Sequence, residues 1–177
     1  IKNISNLGDA ALYCDFGDEI NKDINSQVIK YFRSLKGRNI EGITNLTPSY
    51  NKLIVSFDLN KINFKGIKKL IENENVNEIN ENFVKKIEIP ICCEDTFALD
   101  IKRLEFKLSL KREKIYESFF EKEYFCYMTG FIAGMPFLGD LEKNLRLNRL
   151  DTPRVKVPKG PVGLTEQLAN NYTNSRP

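Results

Sequence analysis

Apolar and polar residues follow a short period through Ala10 to Phe16 (AALYCDF), which predicts a strand closed at Gly17-Asp18. The period then lengthens. Ile24, Val28, Ile29, Phe32 and Leu35 recur at helical spacing, with Asp23 placed to cap this helix and Gly37 to end it. Two short strands, 42–47 and 52–58, come next as a hairpin pair around Pro48-Ser49-Tyr50. A second helix is predicted over 63–73 with Phe64, Ile67, Leu70 and Ile71 on one face, followed by an Asn/Glu-rich linker over 72–82 and a strand over 83–91. Strand, helix, strand, strand, helix, strand is the order of a ferredoxin-like α/β sandwich, so the chain is expected to be α+β. That fold hosts many unrelated functions and decides little by itself.

Beyond Pro90 the pattern changes. Helices are predicted over 99–108 and 111–123, with the Ser109 hydroxyl capping the second. Tyr124 to Gly139 then runs sixteen residues without a charge in a chain that is 29% charged. This stretch is shorter than the roughly 20 residues a membrane span needs, and its three glycines and one proline fit a buried strand and turn better. Strands are expected at Tyr124 to Met128 and Arg154 to Val157, with tight turns between and after them, a pattern that suggests a small barrel or sandwich. The expected domains are 1–84, the ferredoxin-like unit, and 85–177.

Composition narrows the function classes. The chain has 177 residues, 41% of them apolar, enough for packed cores in two small domains. Its 27 basic and 24 acidic residues leave a net charge of +3, with no cluster that would imply nucleic acid. The lysine groups at 65–69 and 107–114 alternate with apolar residues and read as solvated helix faces. Cys14, Cys92, Cys93 and Cys126 form no C-x-x-C pair, and histidine is absent, which excludes the familiar zinc spacings and every histidine-based triad. Cys92 and Cys93 are expected to be reduced packing residues. With neither a disulfide framework nor a signal peptide, the expected compartment is the cytoplasm, and no metal site is expected.

Candidate chemistry is sparse. Asp9 is a possible site carboxylate, but a turn role accounts for it better. Gly130, Gly134 and Gly139 offer backbone N–H groups to an anion, yet they match neither the Walker spacing nor G-x-G-x-x-G, and turn geometry explains them. Arg154, between Pro153 and Pro158, has two readings: a guanidinium aimed at a carboxylate or phosphate, or an exposed arginine on an edge strand.

These same segments carry a family resemblance. G-F-x-x-G-x-P-F-L-G at 130–139 and T-P-R-x-x-V-P-x-G-x-V-G at 152–163 resemble the B subunit of bacterial 5-oxoprolinase. That family is also called allophanate hydrolase subunit 1 and includes the KipI-type inhibitor of a histidine kinase. Gly8 to Ala11 and Ile89-Pro90 also fall in the family's order, so the resemblance covers nearly the whole chain. It implies a cyclophilin-like β-barrel after the first domain, incomplete at its C-terminus here, because the family continues through further strands. It also implies a protein that works with the C and A subunits of 5-oxoprolinase in hydrolysing 5-oxoproline to glutamate, with ATP bound on or shared with a partner. Phe131, Gly134, Pro136, Gly139, Arg154, Pro158, Gly160, Gly163 and Tyr172 match the family pattern, and the resemblance places them at its barrel cleft.

The departures fall in the same segments. The family's His-Ser pair before the Tyr124 strand is missing from Ser118-Phe119-Phe120, its P-G-F-P becomes Ala133-Gly134-Met135-Pro136, and Pro161 replaces a serine. Leu168 stands where the family has a glutamine, with Gln167 one position early. Opening an unstrained lactam needs the amide activated, and no residue here has a recognisable base partner, so no catalytic residue is assigned. Two functions are expected: a subunit, not catalytic alone, of an ATP-dependent hydrolase acting on a lactam or urea derivative, or a regulatory module that docks its cleft on a kinase. Neither calls for nucleic acid or membrane.

Overall fold

A computed structural model describes residues 1–76 and 85–175, and the chain divides into two compact units, 1–85 and 86–177. The first unit contains β1 (Asn3–Asn6), β2 (Ala11–Asp15), α1 (Lys22–Gly37), β3 (Ile43–Pro48), β4 (Lys52–Phe57) and α2 (Phe64–Glu72). Its strands form one antiparallel sheet in the order β1-β2-β4-β3. The two-residue period sets which face is buried. Leu12 pairs with Val55 and Cys14 with Leu53, and all four are buried against Val28 and Leu35 of α1 and Ile67 and Ile71 of α2. Each fully buried aliphatic side chain of this kind contributes about 1.5–3 kcal/mol.

Two expectations change in this unit. The cap of α1 is Asn21, whose Oδ1 accepts from the Ile24 N–H at 2.9 Å. Asp23 lies inside the first turn, where its charge still complements the helix dipole. The strand expected over 83–91 is the larger change. Phe83 and Val84 lie outside the described residues, and 85–91 forms no strand. Ile87, Ile89 and Ile91 are exposed, so their alternation has no face to bury. The place beside β2 belongs instead to β1, paired from Asn3↔Asp15 to Asn6↔Leu12. The edge strand therefore comes first in the chain, not last. Its sequence, NISN, has a single apolar residue, too few for a visible period.

The second unit contains α3 (Ile101–Leu108), α4 (Arg112–Phe120), β5 (Phe125–Thr129), β6 (Pro136–Gly139), a 3-10 turn (Lys143–Leu145), β7 (Val162–Leu164) and β8 (Ala169–Asn171). Its antiparallel sheet has the order β5-β6-β8-β7. Leu138, Ala169 and Leu164 sit opposite one another across β6, β8 and β7 and share a core with Ile101, Ile115, Leu141 and Leu145. Phe137 and Asn170, also opposite one another, point to the other face.

Among the described residues this sheet is open and closes no barrel. Arg154 to Val157, expected as a strand, contributes only an isolated bridge at Val157; Pro153 and Pro158 offer no N–H to a ladder. Ser109 does not cap α4. It ends α3 in the left-handed conformation, φ 54°, and α4 begins after Lys111 without a side-chain cap. No described helix is long and apolar enough to cross a membrane.

Candidate functional site

The structure gathers part of the expected cleft at one end of the second sheet. The β5–β6 loop closes through Gly130 N–H to Met135 O at 3.0 Å, so that glycine's N–H serves the turn and not an anion. Gly134 takes φ 75° and lies 3.8 Å from Thr173, measured from the position a Cβ would occupy. The Thr173 hydroxyl donates to Ala133 O at 2.8 Å. Gly160, φ 92°, donates its N–H to Tyr172 O at 2.7 Å, and Tyr172 N–H donates to Pro161 O at 3.1 Å. Pro136 opens β6 in this region, whereas Pro158 is exposed beside Gly160 and Phe131 is 76% exposed on the loop. This end of the sheet is an arrangement of backbone turns, with little side-chain chemistry.

Three other candidates lie elsewhere. Gly139 ends β6 at its opposite end, where a Cβ would come within 2.5 Å of Tyr127 Cε2 and 2.9 Å of Leu168 Cδ2. Arg154 donates to Asp100, at the start of α3, in an exposed ion pair, so its guanidinium is engaged within the unit. Gly163 yields space to Asn170, whose Oδ1 would sit 2.7 Å from a Cβ there and is buried without a hydrogen-bond partner among the described residues. Asp9 is exposed in the turn after β1, Cys92 is exposed and Cys93 half-buried.

A site missed in the sequence forms where β6 ends. Asp140 Oδ2 accepts from the Tyr127 hydroxyl at 3.1 Å, and Oδ1 accepts from the Gln167 amide at 2.8 Å. Tyr127 is 2% exposed, and burial, followed by the nearby Asp140 charge, pushes its hydroxyl up to about 12. Asp140 lines a depression of about 680 Å³ together with Ser118, Lys122, Lys143, Asn144 and Arg146. Lys122 Nζ donates to Glu142 at 2.6 Å, and this bond holds the Glu142 carboxyl below its ordinary range. Asn144 Nδ2 donates to the buried Ser118 Oγ at 3.4 Å, and Arg146 Nε to Leu141 O at 2.9 Å.

Ser118 is not activated by this arrangement: its described partner is an amide donor, which takes up no proton. The depression is equipped to bind, with an oriented carboxylate and several cations. Two signals were present in the sequence. Asp140 is the first charge after the uncharged run, and Gln167 is the displaced glutamine of the family pattern.

Residues 2–177 match the family described as carboxyltransferase domain, subdomain C and D. The chain belongs to that family. A Bacillus subtilis relative, named as the B subunit of 5-oxoprolinase, is 29% identical over 187 residues, a match covering 98% of this chain and 78% of that protein. The crystal structure of TTHA0988 superposes with a TM-score of 0.82 at 24% identity, covering 94% of this chain and 33% of that one. The Kluyveromyces lactis urea carboxylase gives a TM-score of 0.79 at 17% identity, covering 98% of this chain and 18% of that protein. This chain thus spans about a third of TTHA0988 and less of the carboxylase, and both likenesses establish the fold alone. The family read from 130–139 and 152–163 stands, even though those motifs shape turns more than they present reactive groups.

Proposed function

We propose that this carboxyltransferase-domain chain is one subunit of an ATP-dependent amidohydrolase, acting on 5-oxoproline to form glutamate or on a related urea derivative. The observation that carries this proposal is the family match over 2–177, joined by a curated relative, named as the B subunit of 5-oxoprolinase, that aligns with 98% of the chain. The chain's own chemistry supports a shared site. Among the described residues Ser118 has no base partner, histidine is absent from the sequence, and Gly130 of the β5–β6 loop spends its N–H on its own turn. A lactam is a stable amide, so its opening draws on ATP hydrolysis, with the nucleotide held on or shared with homologues of the C and A subunits. The assembly works in the cytoplasm. Arg154, in a pair exposed enough for another anion to compete with Asp100, is one cation this chain offers to substrate or partner, at the 152–163 motif.

The test is co-expression with homologues of the C and A subunits, purification of the complex, and assay of ADP release dependent on 5-oxoproline. A stable complex with substrate-dependent ATP hydrolysis and glutamate formation is expected. Failure to assemble together with absence of turnover overturns the proposal, and turnover of a urea derivative alone redirects the substrate.

A further inference from the structure

The charges around the depression beside α4 do not cancel one another locally. Its lining residues Lys122 and Glu142 are paired, and Lys114 is paired with Glu117, at 2.7 Å. Lys143 and Arg146 make no ion pair among the described residues, and neither do the carboxylates Asp140 and Glu121, although the Arg146 charge reaches Glu142 and helps hold its carboxyl down. The two groups that hold Asp140, a phenol and an amide, orient its carboxylate without neutralising it. Each takes one acceptor position on a different oxygen, and a carboxylate has about four such positions. An oriented acceptor with spare capacity therefore lies in the same depression as two unpaired cations.

We infer that this depression binds an amino-acid-sized ligand carrying an amide or urea N–H close to a carboxylate, with Asp140 accepting the N–H and Lys143 and Arg146 attracting the carboxylate. The substrate class rests on the amidohydrolase proposal, whereas the site rests on the geometry. Simpler ligands fit less well. A phosphate-like anion meets the charges of Asp140, Glu121 and Glu142, and a bare cation meets four lining lysine and arginine residues. The volume of about 680 Å³ lies within the roughly 300–1,000 Å³ usual for small-molecule sites. Ser118 and Leu141, both buried, bring rigid structure to its lining. A lactam acid and a carboxylated urea present the same pair of groups.

The full chain, isotopically labelled, is titrated with 5-oxoproline and with N-carbamoylglycine while backbone amide shifts are followed. Shifts centred on Asp140, Asn144 and Gln167 are expected, and the tighter probe identifies the ligand type. N-methyl-5-oxoproline lacks the N–H and 2-pyrrolidinone lacks the carboxylate; each is expected to bind about ten-fold more weakly, since a site built around a polar group rejects the analogue without it. Asp140→Asn should weaken 5-oxoproline to a similar degree. If that variant misfolds, Lys143→Ala with Arg146→Ala replaces it: both residues are outside the core, and the change should weaken 5-oxoproline without affecting 2-pyrrolidinone. Equal affinity for the N-methyl probe, shifts confined to other regions, or no binding overturns the inference. A complex that turns over substrate while its chain fails these titrations loses this site and keeps the function. An inactive complex whose chain passes them does the reverse.

Discussion

The two units treat buried polar groups differently. In the first, Asn25 donates to Tyr50 O at 2.9 Å and Asn51 donates to Gly17 O at 2.9 Å, each fastening a loop to a neighbouring element. The buried Glu74 is held by Ser34 and by the cation of Arg38, so its charge is answered within the unit. In the second, Asp140 is positioned by two neutral donors and by no cation, and Asn170 Oδ1 has no partner among the described residues. Polar groups that are fully satisfied stabilise a fold, and those left with spare capacity are available to a ligand. The first unit behaves as scaffold; the second holds the unsatisfied chemistry.

That contrast can be tested by unequal perturbations. The largest expected effect is on the first core: Leu53→Ala removes a fully buried side chain and should cost about 2–5 kcal/mol in denaturant unfolding. A cost below about 1 kcal/mol would mean that this core is not the stabilising one.

Alkali should act on the second unit. Tyr127 ionises near 10 when unfolded and is pushed up to about 12 when folded, so its contribution is complete below pH 10 and is lost as pH rises towards 12. The loss is of the order of 2–3 kcal/mol, and Tyr127→Phe should flatten the stability profile over this range. A variant with the wild-type alkaline profile would assign the loss to another group, either Tyr124, which burial pushes up to about 12 as well, or the buried Cys14 of the first unit, which burial pushes up to about 11.

Gly139→Ala should cost about 1–3 kcal/mol, because the new methyl would overlap the Tyr127 ring and Leu168. The same change should disturb Asp140, visible as a shift of its amide resonance; an unchanged stability would show that the ring moves aside freely. The smallest effect belongs to Arg154→Ala. Its exposed pair with Asp100 is worth less than about 1 kcal/mol, so thermal unfolding should barely move. A large loss would give this pair a structural weight that its exposure does not suggest.

Much of the fold could be read from periodicity. Ile24 to Leu35 announced α1, the short run over 52–58 announced β4, and the first part of the uncharged run announced β5. What failed were segments where local pattern and partner disagree. Residues 85–91 alternate like a strand but pair with no strand among the described residues, while β1 has almost no pattern and is held in place by its pairing with β2. Arg154 was the most conspicuous cation in sequence, yet Asp100, fifty-four residues earlier, engages it. Asp140 was inconspicuous because both groups that hold it come from other strands and turns.

The sequence by itself determined the family, the helices and half of the strands, because each rests on short-range spacing or on contiguous motifs. Only the tertiary structure decided which carboxylate is oriented, which cations lack partners and which glycines are tied into turns. Those properties depend on side chains brought together from distant positions, where burial and hydrogen bonding set the energy of each group.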